Sequence, residues 1–309
     1  MVMTVRGPVA ADTLGVVQPH EHLLLNVEWI EARFSLDGLL NDADLMIEEL
    51  RAFATAGGRS IIDLTNAGMR RDPVGVRRIS EATGVHVILG CGWYRQPYYP
   101  PEALIDRTST AALAERLVDE IEHGLDGTDV RPGIIGEIGS HKDYVTAQEE
   151  RVFRAAGRAA ARTGLAVSTH SAASPVGLEH LRILCEEGVE PGRVAVGHAD
   201  SYPFLEYHLA ILEQGAYVQF DNIGYRLPGV AALESRLVPI IVELVRRGWS
   251  HRVLLSQDVC HRSHLKAYGG NGYDYLLRQF LPTLRSAGVD DEAIARMTVD
   301  NPRQLLVGT

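Results

Sequence analysis

The chain has 309 residues, 46% of them hydrophobic and 23% charged, and a formal charge of −10. With no Lys/Arg cluster this balance excludes a nucleic-acid footprint, and no apolar run approaches the roughly 18 residues that a membrane span needs. The first ten residues carry Arg6 and no apolar core of the signal-peptide kind. The three cysteines, Cys91, Cys185 and Cys260, lie far apart in no ligand spacing, which argues against a disulfide framework. A cytoplasmic protein is expected, of a length that one α/β barrel routinely reaches.

In chain order, short apolar runs alternate with longer amphipathic ones. The first run, residues 15–22, ends in His20-Glu21-His22 and contains Pro19, tolerable only because it lies near the end of a strand. A helical pattern over 40–56 follows, then a strand over 60–64 and a helix announced by Asp72-Pro73, an N-cap with proline at the first helical position. Strands are expected at 86–90 and 134–138, with a helix over 110–123 between them. Thr146 and Glu149 form a capping box, after which Val152, Phe153, Ala156, Ala159 and Ala160 make one apolar face. Strands follow at 166–170, 194–198, 217–220 and 253–256, separated by a helix announced by Ser174-Pro175 and by helices over 205–214 and 233–247. These runs are rich in Val and Ile and do not strictly alternate, as befits parallel strands buried on both faces. Eight strands each followed by a helix, with no linker or low-complexity segment, predict a single-domain (β/α)8 TIM barrel over residues 1–309.

In that architecture the functional site lies at the C-terminal ends of the strands. His20 and His22, two apart, share one face of the first strand. The fourth strand ends in Gly136-Glu137-Ile138, the fifth in His170, the sixth in His198, and the eighth runs into Asp258. Four imidazoles and two carboxylates therefore converge on one rim. Divalent ions are held by such N/O ligands with a position left open. The natural partition puts His20, His22 and Asp258 on one ion and His170 and His198 on the other, with Glu137 bridging because one carboxylate has two oxygens. A hydroxide between the ions would be the nucleophile, and Asp258 the group that takes its proton and passes it to the leaving group.

These residues carry a resemblance. With Pro19-His20-Glu21-His22-Leu23, Gly133–Gly139 around Glu137, Ser168-Thr169-His170, Val196-Gly197-His198, Gly215–Asp221, Arg262–Lys266 and Gly272–Leu277, the chain resembles the phosphotriesterase family of the amidohydrolase superfamily over nearly its whole length. The resemblance implies a binuclear metal centre, usually zinc, in a distorted barrel that often dimerises. It implies His20, His22, His170, His198 and Asp258 as ligands. One departure stands out: many members bridge their metals with a carboxylated lysine, where this sequence has Glu137.

The loops supply substrate contacts. Trp93, Tyr94 and Arg95 follow the third strand, Tyr225 and Arg226 the seventh, and Arg262 the eighth. Aromatic walls with a few polar groups suit a small-molecule pocket, and guanidinium forks match carboxylate or phosphate. The expected protein is a hydrolase with two divalent ions, zinc first and manganese, cobalt or iron as substitutes. Its expected substrate is a small-molecule lactone, ester or amide. A phosphotriesterase and a metal-containing binding protein without turnover are the alternatives. Homodimerisation is the expected self-association.

Overall fold

In the computed structural model, which describes residues 1–31, 36–225 and 233–308, all eight apolar runs become barrel strands. They are β1 (Val16–Glu21), β2 (Gly58–Asp63), β3 (His86–Cys91), β4 (Ile134–Gly139), β5 (Val167–His170), β6 (Val194–Gly197), β7 (Tyr217–Phe220) and β8 (Val253–Leu255). Each pairs in parallel with the next, in sequence order around one sheet. Val17, Ile62, Ile88, Ile134, Ala195, Tyr217 and Leu254 fill the lower interior, and Leu305 and Leu306 of the C-terminal helix close it from beneath. The upper interior is polar.

Helices pack outside this wall where the amphipathic patterns place them. Pro73–Thr83 starts on the Asp72 cap, and Thr110–His123 on Ser109. In Ala147–Thr163 the Thr146/Glu149 capping box forms, and the predicted apolar face is buried. Two helix starts differ from expectation. The first long helix is Ala43–Thr55, capped by Asp42, because Leu39–Leu40 instead pairs with Leu25–Asn26 as a small antiparallel ribbon. The Ser174-Pro175 pair does not open a helix: it lies in a turn, and the helix runs Gly177–Glu186. No helix among the described residues is long and apolar enough to cross a membrane.

Two irregularities aim the site. In β1, Gln18 pairs with Ile61 but Glu21 with Asp63, so one extra residue is accommodated where Pro19 sits, a bulge being where a strand tolerates proline. In β4, Ile135 pairs with Val167 but Ile138 with Thr169. The extra residue there turns Glu137 toward the barrel axis. Gly136 permits it: its φ is +140°, and a Cβ would stand 2.5 Å from the Ser168 carbonyl oxygen.

The last seam, between β8 and β1, is held largely by side chains. Asp258 N–H donates to the His20 carbonyl at 3.1 Å. His20 N–H donates to Ser256 Oγ at 3.0 Å. The Glu21 carboxylate, turned away from the two histidines, accepts from Ser256 Oγ (2.7 Å), Gln257 N–H (2.8 Å) and Val259 N–H (2.8 Å).

Candidate metal centre

The six rim residues meet in one buried cluster. Glu137 stands at its middle. Its Oε1 lies 3.5 Å from His22 Nε2. Its Oε2 lies 3.0 Å from His170 Nδ1 and 3.5 Å from both His20 Nε2 and His198 Nε2. Asp258 Oδ1 lies 3.2 Å from His22 Nε2 and 3.8 Å from His20 Nε2. His20, His22 and Glu137 can converge on one ion, as can Glu137, His170 and His198, and as can His20, His198 and Asp258. His198 Nε2 and His170 Nδ1 face each other at 2.7 Å, while His20 Nε2 is buried without a hydrogen-bond partner among the described residues. A buried imidazole nitrogen left unpaired among carboxylates suits a cation.

Comparisons with known proteins place the chain in a family. The model of the phosphotriesterase family matches residues 1–306. The chain belongs to that family. It is 38% identical to the phosphotriesterase homology protein of Escherichia coli over 95% of this chain and 98% of that one, and a crystal structure of that protein, with phosphate in its active site, superposes with a TM-score of 0.91. It is 29% identical to the N-acetyltaurine hydrolase of Tetraodon nigroviridis, covering 99% of this chain and 97% of the relative. A lactonase from Listeria monocytogenes superposes with a TM-score of 0.91 at 28% identity, covering 99% and 98%. The chain is a metal-dependent hydrolase.

Around the cluster, a second set of groups orients the imidazoles. The Asp221 carboxylate, at the end of β7, accepts from His20 Nδ1 at 2.8 Å and His198 Nδ1 at 2.7 Å, and also takes the His198 backbone N–H. Thr65 Oγ1 lies 2.9 Å from His22 Nδ1. The Asp221 contacts fix Nδ1 of His20 and of His198 as donors, so that Nε2 of each ring faces the centre, where a cation would take the place of a proton. Asn66 Nδ2 donates to the Glu137 carbonyl at 2.7 Å. His198 and Asp258 both hold left-handed backbone, at φ 54° and 49°, a costly conformation for such residues that tends to persist at functional sites.

Electrostatics follow from that arrangement. Burial opposes charge on His20 and His198, but Asp221 outweighs it and raises both, His198 to about 10. His170 goes the other way: burial and the adjacent His198 lower it to about 4. Burial would raise Glu137 and Asp258, yet the neighbouring histidines hold both below the ordinary carboxylate range. Both carboxylates are thus anionic at neutral pH, the form that ligates a cation.

Asp221 ends one of the segments that carry the family resemblance but receives no role from the sequence, although the rule that finds the others, polar residues at the C-terminal end of a strand, applies equally to β7. Replacing it by Asn is expected to weaken metal binding about 10- to 100-fold, as loss of a ligand-orienting carboxylate typically does. Competition with a chromogenic chelator measures this; unchanged affinity would remove Asp221 from the orienting role.

Above the cluster lies a cavity of about 300 Å³, walled by His22, Tyr94, Arg95, Tyr98, Asp258 and Cys260 among others. Of the expected substrate contacts, Tyr94 and Arg95 reach it. Trp93 does not: it turns to a separate depression of about 510 Å³ on the outer side, beside Arg70 and Arg71. Tyr225 stands behind the wall, its hydroxyl 3.3 Å from Cys260 Sγ. Arg262 is occupied elsewhere, donating to the Leu39 carbonyl (2.7 Å) and Asn41 Oδ1 (3.0 Å); it fastens the loop after β8 to the small ribbon. Arg226 lies outside the described residues. Leu25, Val27, Glu28 and Met69 line the cavity unforeseen, because they come from segments without strand or motif signals.

Proposed function

We propose that this protein is a binuclear hydrolase of small acyl compounds: a lactone, a carboxylic ester or an amide. The observation that carries the reading is the position of Glu137, with one carboxylate oxygen toward His22 and the other toward His20, His170 and His198. A carboxylate so shared suits two divalent ions, one held by His20, His22 and Asp258 and the other by His170 and His198. Zinc is the first choice for this ligand set, with manganese, cobalt or iron as substitutes. When bound, the ions supply Lewis acidity toward water and toward the oxygen of the scissile group.

The chain's own residues do the rest. Asp258 opens onto the cavity and its carboxylate is ionised, so it accepts the proton of the attacking water and returns it to the leaving group. Tyr94, its hydroxyl 3.2 Å from His170 Nδ1, forms the cavity wall beside the centre and helps exclude solvent. Acyl rather than phosphotriester substrates are favoured because the named activities of two relatives, on N-acetyltaurine and on lactones, both break a bond to a carbonyl carbon.

Elemental analysis of protein reconstituted with excess zinc or manganese is expected to give about two ions per chain, and screening of lactones, esters, amides and phosphotriesters should find turnover among the first three. One ion or fewer refutes the binuclear reading. Because glutamate is anionic without carbon dioxide, metal uptake should be indifferent to bicarbonate. A steep rise with bicarbonate would identify a lysine, not Glu137, as the bridge.

A further inference from the structure

Arg95 sits in the wall of the metal cavity, where Glu137 acts on it only from a distance and no carboxylate among the described residues forms an ion pair with it. Its guanidinium carbon lies 4.9 Å from the Tyr94 ring centre and 4.8 Å from that of Tyr98. Its hydrogen bonding among the described residues amounts to one long contact, Nη2 to the Tyr98 hydroxyl at 3.4 Å, and its Nε is buried with no partner. Arg71, by contrast, is met by Glu120 at 2.6 Å and Asp126 at 2.8 Å. Glu28 lines the same cavity, but its Oε1 takes the Gly38 N–H at 2.8 Å.

Buried charges are ordinarily paired, since an unpaired one forfeits its hydration for nothing in return. Two tyrosine faces can hold a guanidinium in place, and they leave its in-plane donors free. Those donors match the oxygens of a carboxylate, sulfonate or phosphate.

We infer that Arg95 is the receptor for an anionic group on the substrate, which makes the protein a hydrolase of small acyl acids. This rests on the acyl-hydrolase reading above. The molecule must be compact enough for a cavity of about 300 Å³ and carry its anion away from the scissile carbonyl, so that metal ligands and Arg95 are engaged together. Acylated amino acids, their sulfonate counterparts, and esters or lactones bearing an acid group all meet that description.

The test uses matched substrates: N-acetyl-β-alanine, N-acetyltaurine and the neutral N-acetyl-β-alaninamide, with metal-loaded parent, Arg95→Met and Arg95→Lys. Charge-assisted hydrogen bonds contribute enough that the parent should favour the anions by roughly ten- to a hundredfold in kcat/KM. Arg95→Met should collapse that ratio to within about threefold, and Arg95→Lys should keep part of it. Metal content equal to the parent's shows that the centre is intact, and Arg95→Gln carries the comparison if the methionine variant does not fold. Which anion ranks first tells carboxylate from sulfonate recognition. A parent without anion preference, or a preference that survives Arg95→Met, overturns the inference while leaving the hydrolase reading standing. If none of the three is turned over by the parent, the hydrolase reading fails for these acyl amides, and calorimetric binding of N-acetyl-β-alanine decides the rest. Binding that depends on Arg95 supports the anion receptor, and binding that is absent or indifferent to Arg95 overturns it.

Discussion

Asp258→Asn is expected to reduce kcat by roughly 10²–10⁴-fold, about 3–5 kcal/mol of barrier, while the metal content stays at the parent's level. The reason lies in what the substitution keeps. The amide oxygen still reaches the position of Oδ1, 3.2 Å from His22 Nε2, so the centre assembles. The amide cannot accept a proton, so the transfer from water to leaving group loses its carrier. His170→Asn makes the contrast: it removes an imidazole whose Nδ1 faces both Glu137 and His198, and metal should be lost together with rate. Steady-state kinetics and metal analysis on the same preparations separate the two. Turnover by Asp258→Asn within about threefold of the parent, far short of what an acid–base group contributes, would dismiss the proton-carrier role.

Glu137→Gln should act earlier, on assembly itself. The carboxylate serves both histidine sets at once, and an amide offers a single oxygen plus an NH₂ that donates where a lone pair is needed. Removing the negative charge also leaves buried histidines, crowded around one point, without their common counter-charge. Breaking a buried ionic arrangement of this kind typically costs about 3–5 kcal/mol, so metal affinity should fall on the order of 10²–10⁴-fold. Equilibrium dialysis against buffered zinc measures the loss, and activity should follow occupancy. Retention of parental metal affinity in Glu137→Gln would mean that the carboxylate does not bridge.

The residues of the candidate centre are legible in the sequence because fold and rim share one rule: once the eight apolar runs are counted, the rim positions follow. Glu137 illustrates both the reach of that rule and its limit. Its position at the end of β4 is readable, yet its inward aim comes from an extra residue in the β4–β5 register, which no periodicity displays. Arg262 and Trp93 show where loop reading stops. Both have chemistry suited to a pocket, but their partners, the Leu39 carbonyl and the outer depression near Arg71, are set by chain segments distant in sequence. The helix expected from residue 40 starts at Ala43 for a similar reason, since Leu39–Leu40 finds a strand partner in Leu25–Asn26. Glu21 is the plainest case: alternation tells that it faces away from the histidines, and nothing local tells that Ser256, 235 residues later, is waiting for it.

Glu21 also gives the barrel a particular weak line. Elsewhere neighbouring staves are laced by main-chain ladders, whereas β1 and β8 are riveted by one carboxylate and a few adjoining bonds. The same two ends of chain supply His20 and His22 from one side and Asp258 from the other, so an ion gripped by all three would lie across that line like a clasp. Regions with few shared backbone bonds are the first to open in the native state, and a ligand that binds only the closed form deepens the well in proportion to the logarithm of its concentration. The metal supply of the cell would then govern the chain's lifetime as well as its catalysis, since molecules starved of metal would part first along this line and offer themselves to proteases there.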